Sequence, residues 1–242
     1  MKVLSEVEIL NIWEIGSRQH PVDRALTILR WVFPEQSRQE LATLSIGERD
    51  KYLLSVREQT FGDRLYGYTE CPQCSERLEF TYSTQDLQLP ENSQETVLTV
   101  IIEQLEMCFR LPNSQDLAVV VSSNSMETAY QSLVTRCLLE VKRAGIAVGA
   151  DNLSVEEIEQ LATAIAKADP QAEILLDFDC PACGYNWQEI LDIITFLWTE
   201  ISVQAQRLLR EVHLLASAYG WSEREILSLS PTRRQLYLEL VS

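Results

Sequence analysis

The sequence is poor in proline and glycine, with eight of each in 242 residues, and it has only two histidines. So little Pro and Gly argues against a low-complexity or disordered chain. With 46% hydrophobic residues, the chain can bury a sizeable core in one or two domains. Long apolar runs are missing too. The best candidate, Ile190 to Trp198, is short and contains Asp192, whereas a membrane-crossing helix needs roughly 18 to 20 apolar residues. The opening Met1-Lys2-Val3-Leu4-Ser5-Glu6 lacks a signal-type apolar stretch, so the expected location is the cytoplasm, with no direct membrane insertion. Positive charge is scarce: 20 Lys and Arg face 36 Asp and Glu, a formal net charge of −16. That balance disfavours nucleic acid and anionic membranes as partners, and favours a basic or apolar protein.

Catalytic signatures are absent as well. No phosphate loop of the form G-x-x-x-x-G-K-[ST], no G-x-G-x-x-G, no G-x-S-x-G and no H-E-x-x-H occurs. His20 precedes Pro21 in a turn-like segment, and His213 falls on a helical stretch. The acidic residues are scattered in the manner of a solvated surface. The expectation is a chain without catalytic residues, without an organic cofactor and without a small-molecule substrate; it is read as not an enzyme.

What the chain does have is a matched pair of turns, Cys71-Pro72-Gln73-Cys74 and Cys180-Pro181-Ala182-Cys183. A C-x-x-C turn presents two thiolates from one tight corner, and two such turns complete a closed, tetrahedral four-thiolate zinc site. Cys71, Cys74, Cys180 and Cys183 are therefore the candidate metal ligands, and Zn2+ the candidate structural ion. It would tie the first third of the chain to the last. With no open coordination position, such an ion cannot activate water. The other two cysteines, Cys108 and Cys137, stand in apolar contexts and read as small buried hydrophobes.

Two rival readings of the turns stay open. C-P-x-C also occurs in thiol oxidoreductases, where the first thiolate sits at a helix N-terminus. Here the motif occurs twice, and an alternating strand follows the first copy. A zinc ribbon could also bind nucleic acid. Against that, residues 61–90 hold five acids (Asp63, Glu70, Glu76, Glu79, Asp86) and two bases (Arg64, Arg77), while residues 171–200 hold six acids and no base.

The fold class expected is α+β, mainly helical. It is a split zinc ribbon, two CPxC knuckles on β-hairpins, with a helical insertion and flanking helical hairpins. Residues 1–62 read as an N-terminal helical segment, in which Pro21 begins a new helix and the S-x-x-E boxes at Ser37/Glu40 and Ser45/Glu48 start two more. Residues 63–120 hold the first knuckle and two hairpins: Leu65, Tyr66 and Tyr68 lead into the turn, and Leu78, Phe80 and Tyr82 leave it with period two. Residues 83–95 read as a polar loop, and Pro112-Asn113-Ser114 as a turn. Residues 121–170 read as a helical insertion, one helix capped by Asn124 with Glu127 and running to about Arg143, another capped by Ser154 with Glu157 and closing near Asp169-Pro170. Residues 171–242 hold the second knuckle, with Gly184 at a position that favours positive φ and Trp187 placed to cover the metal. A long helix from about Gln188 to Tyr219 follows, ending at Gly220, and then a helical hairpin.

Residues 37–56 and 222–241 align without gaps, sharing Ser37/Ser222, Glu40/Glu225, Leu44/Leu229, Ser45/Ser230, Arg49/Arg234, Tyr52/Tyr237, Leu53/Leu238 and Val56/Val241. One copy lies before the first cysteine turn and the other after the second, which suggests two pseudo-symmetric halves closing on one metal. In the C-terminal segment Arg207, Arg210, Arg224, Arg233 and Arg234, with Trp198, Trp221, Tyr219 and Tyr237, suggest a docking surface.

The run Leu176-Asp177-Phe178-Asp179-Cys180-Pro181-Ala182-Cys183-Gly184, then Trp187, Asp192 to Glu200, Arg207 to Trp221 and Ile226 to Pro231, resembles T-even-type phage baseplate hub assembly proteins (chaperones), a family associated with phage-tail-like contractile injection systems. Cys71-Pro72-Gln73-Cys74 and Phe109 to Leu117 also fit that pattern. The resemblance implies a structural or assembly role in a baseplate, with baseplate, hub or spike proteins as partners through the C-terminal helices, and it carries over no catalytic residues. The zinc comes from the cysteine turns and not from the resemblance.

Overall fold

The computed structural model describes residues 2–89, 97–121, 123 and 125–241. It is a mixed α/β fold in which helices predominate, with three small antiparallel sheets among the described residues. Four helices come first: α1 (Glu6–Gly16), α2 (Pro21–Val32), α3 (Arg38–Ala42) and α4 (Ile46–Phe61). Their starts follow local side-chain chemistry. Ser5 and Ser37 each accept the N–H three residues on, and Glu8 and Glu40 reach back to the cap N–H groups. The His20 Nδ1 accepts from the Val22 N–H, and Pro21 takes the first helical position, where its missing N–H costs nothing. Gly62, at φ 98°, ends α4.

A hairpin of β1 (Arg64–Glu70) and β2 (Arg77–Ser83) follows, carrying the first cysteine turn. Strands β3 (Leu98–Ile102) and β4 (Leu105–Phe109) form the second of the two hairpins expected in residues 63–120. Helix α5 (Ser114–Val120) comes next, where only a turn was expected; Asn113 and Asp116 cap it reciprocally, an N-x-x-D box that the turn-like Pro112-Asn113 obscured.

The stretch 121–143 departs from expectation. Helix α6 (Met126–Cys137) is capped by Ser125, which accepts from the Thr128 N–H; the expected cap, Asn124, lies outside the described residues. The helix stops at Cys137, and Leu138–Arg143 form strand β5 instead of continuing to Arg143. Val141 pairs with Met107 of β4, and burying it against that strand outweighs local helix propensity. After the turn at Ala144-Gly145, both at positive φ, β6 (Ile146–Ala147) closes a four-stranded sheet in the order β3-β4-β5-β6. The insertion is therefore helix and strand. Helix α7 (Val155–Ala168) packs on this sheet, and Leu161 and Ile165 join Leu105, Met107, Phe109, Val134 and Val141 in a core of its own.

The second cysteine turn joins β7 (Leu175–Asp179) to β8 (Asn186–Ile190). A helix from Gln188 was expected, but residues 186–190 pair with β7. The long helix α8 (Ile193–Tyr219) starts only where Asp192 accepts the Thr195 N–H. At 27 residues it spans about 40 Å, and it ends at Gly220 in the left-handed conformation. No helix among the described residues is long and apolar enough to cross a membrane. Helices α9 (Glu223–Ser228) and α10 (Pro231–Val241) complete the chain.

The larger core gathers α1, α2, α4, both cysteine hairpins and the first half of α8. From α8 it takes Ile193, Ile194, Leu197, Ile201 and Ala205, each large aliphatic contributing about 2 kcal/mol before chain entropy is counted. The two cores meet through polar contacts. The Gly47 N–H donates to Asp169 at 2.9 Å, the Arg49 guanidinium to the Ser114 hydroxyl at 3.3 Å, and the Gln171 amide is bonded at both ends to Leu87 and Leu89.

Candidate metal centre

Both cysteine turns have the same backbone wiring. In the first, the Cys71 N–H donates to the Glu76 carbonyl at 2.9 Å and the Ser75 N–H to the Cys71 carbonyl at 2.8 Å. In the second, the Cys180 N–H donates to the Tyr185 carbonyl and the Gly184 N–H to the Cys180 carbonyl, both at 2.9 Å. Ser75 (φ 62°) and Gly184 (φ 72°) take the same left-handed conformation directly after the second cysteine, so the first turn adopts it without glycine.

The hairpins pack inner face to inner face. Phe178 lies 5.3 Å from Phe80, 5.4 Å from Trp187 and 6.5 Å from Tyr82, ring centre to ring centre, and the Tyr82 hydroxyl donates to the Asp177 carbonyl at 3.0 Å. Trp187 stacks on Phe178 and on Tyr185, with ring centres 5.4 and 6.2 Å away. Glu189 accepts from the Thr69 hydroxyl across this interface at 2.5 Å and from the Trp187 indole N–H of its own strand at 2.8 Å. Gly67 is required here: a Cβ on it would sit 2.3 Å from the Phe80 ring.

This packing brings the four cysteines together from 106 and 112 residues away. The Cys74 Sγ lies 3.5 Å from the Cys180 Sγ, and the Cys71 Sγ lies 3.7 Å from the Cys183 Sγ. All four sulfurs fall within 4.8 Å of one another. A tetrahedron with metal–sulfur bonds of about 2.3 Å has edges of about 3.8 Å, so both the donor set and its spacing fit one zinc-sized ion. Cys71 and Cys180 are buried, while Cys74 and Cys183 face solvent.

Four thiols at this spacing cannot all ionise without a cation. The Glu76 N–H pulls the Cys74 thiol down, but desolvation and the thiols of Cys183, Cys180 and Cys71 push it up to about 12. At Cys180 desolvation works upward, yet the N–H groups of Cys183 and Ala182 and the neighbouring thiols bring it down to about 7. Zinc is held by thiolates, so metal binding must displace protons from this cluster.

Cys108 and Cys137 stay away from this cluster. Cys137 is fully buried with its thiol pushed up to about 11 by burial, as expected of a small core residue. Cys108 is half-buried, 3.5 Å from the Thr99 hydroxyl. Sequence reasoning missed Glu189, Thr69 and Gly67. The visible signal was the shared offset of Asn186–Ile190 and Arg77–Thr81, each segment following the second cysteine of its turn at the same distance. His20 and His213 have no part in the cluster.

The family model described as T4 bacteriophage base plate protein matches residues 22–198. That span holds all four cysteines and ends inside α8, ahead of α9 and α10. No curated protein and no solved structure matches the chain. A match over well more than half of the residues places this chain in the T4 bacteriophage base plate protein family.

Proposed function

We propose that the chain is a non-enzymatic structural or assembly subunit of the baseplate of a phage-tail-like contractile injection machine, built in the cytoplasm. Cys71, Cys74, Cys180 and Cys183 hold one structural zinc ion. The two hairpins then form a split zinc ribbon that clasps the N-terminal helices to α8. The C-terminal helices contact neighbouring baseplate, hub or spike proteins.

The observation that carries this reading is the family match, whose span includes both cysteine turns. The sulfur geometry supports zinc, since a closed thiolate set suits a structural ion and offers no site for activated water. The acidic hairpins speak against a nucleic-acid ribbon, because four thiolates around zinc would add about two further negative charges. A thiol oxidoreductase is disfavoured by strands, not helices, following both turns.

The test is co-purification from cells assembling the particle. Recovery of the chain with tube, hub or wedge proteins is expected; its absence from every assembly intermediate would overturn the reading.

A further inference from the structure

The two copies of the internal repeat fold alike. Ser37 and Ser222 head α3 and α9 in the same capping box, and Leu41 and Ile226 are both fully buried. Ser45 and Ser230 accept the N–H three residues on, at 3.1 and 3.3 Å, and their carbonyls take the N–H groups of Arg49 and Arg234. Both arginines are buried. Tyr52 meets Phe33 edge-on, and Tyr237 meets Tyr219 and Trp221 in the same way.

The copies differ in what they show to solvent. Where the first has Lys51 and Ser55, the second has Leu236 and Leu240, 58% and 76% exposed and one helical turn apart. The repeat's fold does not demand leucine there. Arg233 precedes Leu236 by three residues, so Arg233, Leu236 and Leu240 form one stripe along α10, opposite the face that Arg234 uses against α8. On α8, Arg210 and the half-exposed Leu214, also one turn apart, repeat the pairing of guanidinium and aliphatic side chain. Arg210 and Arg233 make no ion pair among the described residues.

The charge distribution says what suits this surface. Residues 201–242 carry five arginines against four glutamates, a net +1, so the rest of the chain carries −17 of the total −16. The excess negative charge lies outside this end, so an acidic partner is repelled less here than by the rest of the chain taken as a whole, which favours this orientation. Spacing of i, i+3 and i+7 along a helix is the pattern by which helices seat in apolar grooves.

We propose that the Arg233–Leu236–Leu240 stripe of α10, together with Arg210 and Leu214 of α8, docks an aliphatic surface rimmed by Asp and Glu on another baseplate protein. This rests on the baseplate reading above and names the kind of partner for its C-terminal helices.

The test places a photo-crosslinking residue at position 236 of the full chain, with a control at the exposed Glu159 of α7, in cells assembling the particle. Adducts from position 236 to one other particle protein, at a segment bearing carboxylates and aliphatic side chains, are expected, with none from position 159. The double variant Arg210→Glu, Arg233→Glu should cut co-purification by about tenfold or more at unchanged melting temperature. Adducts only to a second copy of this chain, adducts to a basic segment, or no adducts would overturn the docking proposal while wild-type co-purification kept the baseplate reading. Loss of wild-type co-purification would overturn both.

Discussion

The Arg57 guanidinium on α4 donates to both carboxylate oxygens of Glu200 on α8, at 2.7 and 3.0 Å, across 143 residues of sequence. A third donor bonds the Gly62 carbonyl at 2.8 Å, and Phe196 lies beneath the guanidinium. Arg57 is almost wholly buried, so removing either partner strands the other's charge. Arg57→Ala should destabilise the protein by about 3 kcal/mol, as loss of one member of a buried pair does. Urea unfolding measures this; a change under about 1 kcal/mol would mean the pair only breaks even with solvation.

Gly67 tests the hairpin interface. Gly67→Ala puts a methyl into the Phe80 ring and must push that ring off Phe178. A cost of about 1 to 3 kcal/mol is expected, together with weaker zinc retention against a chelator, because the hairpins are displaced as units. Gly149→Ala, where the nearest atom is 3.5 Å away, should change neither.

Acid stability should report on Asp116. Burial alone would raise its pKa, but the Arg110 guanidinium, the Asn113 N–H and Arg136 more than offset this and hold the carboxyl below its ordinary value. A folded-state pKa below the unfolded one gives stability that is present above about pH 4 and is lost as pH falls through the folded value. Asp116→Asn should therefore be less stable than wild type at neutral pH and should lose less on acidification. Urea midpoints followed from neutral pH to about pH 2 measure the difference, and parallel curves for the two proteins would contradict it.

Arg234 anchors the last helices. Its guanidinium binds Glu6 on α1 at 2.5 and 2.6 Å and Glu211 on α8 at 2.9 Å, joining residues 228 positions apart. Beyond Ala205, the buried aliphatics of α8, α9 and α10 among the described residues are Leu208, Leu215 and Ile226. Arg234→Ala should open α9 and α10 locally, with roughly a hundredfold loss of amide-exchange protection there and little change in α2 and α4. A uniform loss over the whole chain would show instead that these helices unfold only with everything else.

Much of this molecule can be read from its residues. The S-x-x-E boxes, Pro21 and Gly220 mark helix ends, because capping is local chemistry. The two C-P-x-C turns mark the hairpin tips for the same reason. Reading fails where a distant strand decides. Leu138–Arg143 carries helix-compatible residues and becomes strand only because β4 offers Val141 a buried partner. Asn186–Ile190 pairs with β7 where the apolar stripe of α8 suggested helix. The contacts among Thr69, Trp187 and Glu189 depend on how the hairpins face each other, which no single segment encodes. Two of the buried arginines, Arg49 and Arg234, stand out in the sequence as an aligned pair, with nothing local to say that carboxylates from other helices would meet the second.

The cysteine centre is where the reading is most exposed to test. Substituting Cys180→Ser should release metal and destabilise the fold, whereas Cys108→Ser should do neither; an oxidoreductase would keep its stability and lose only activity. The most direct measurement is elemental analysis with X-ray absorption on gently purified, reduced protein. One zinc per chain with four sulfur neighbours at about 2.3 Å is expected. Metal-free protein that keeps full stability, or zinc bound through nitrogen or oxygen ligands, would contradict the metal clasp.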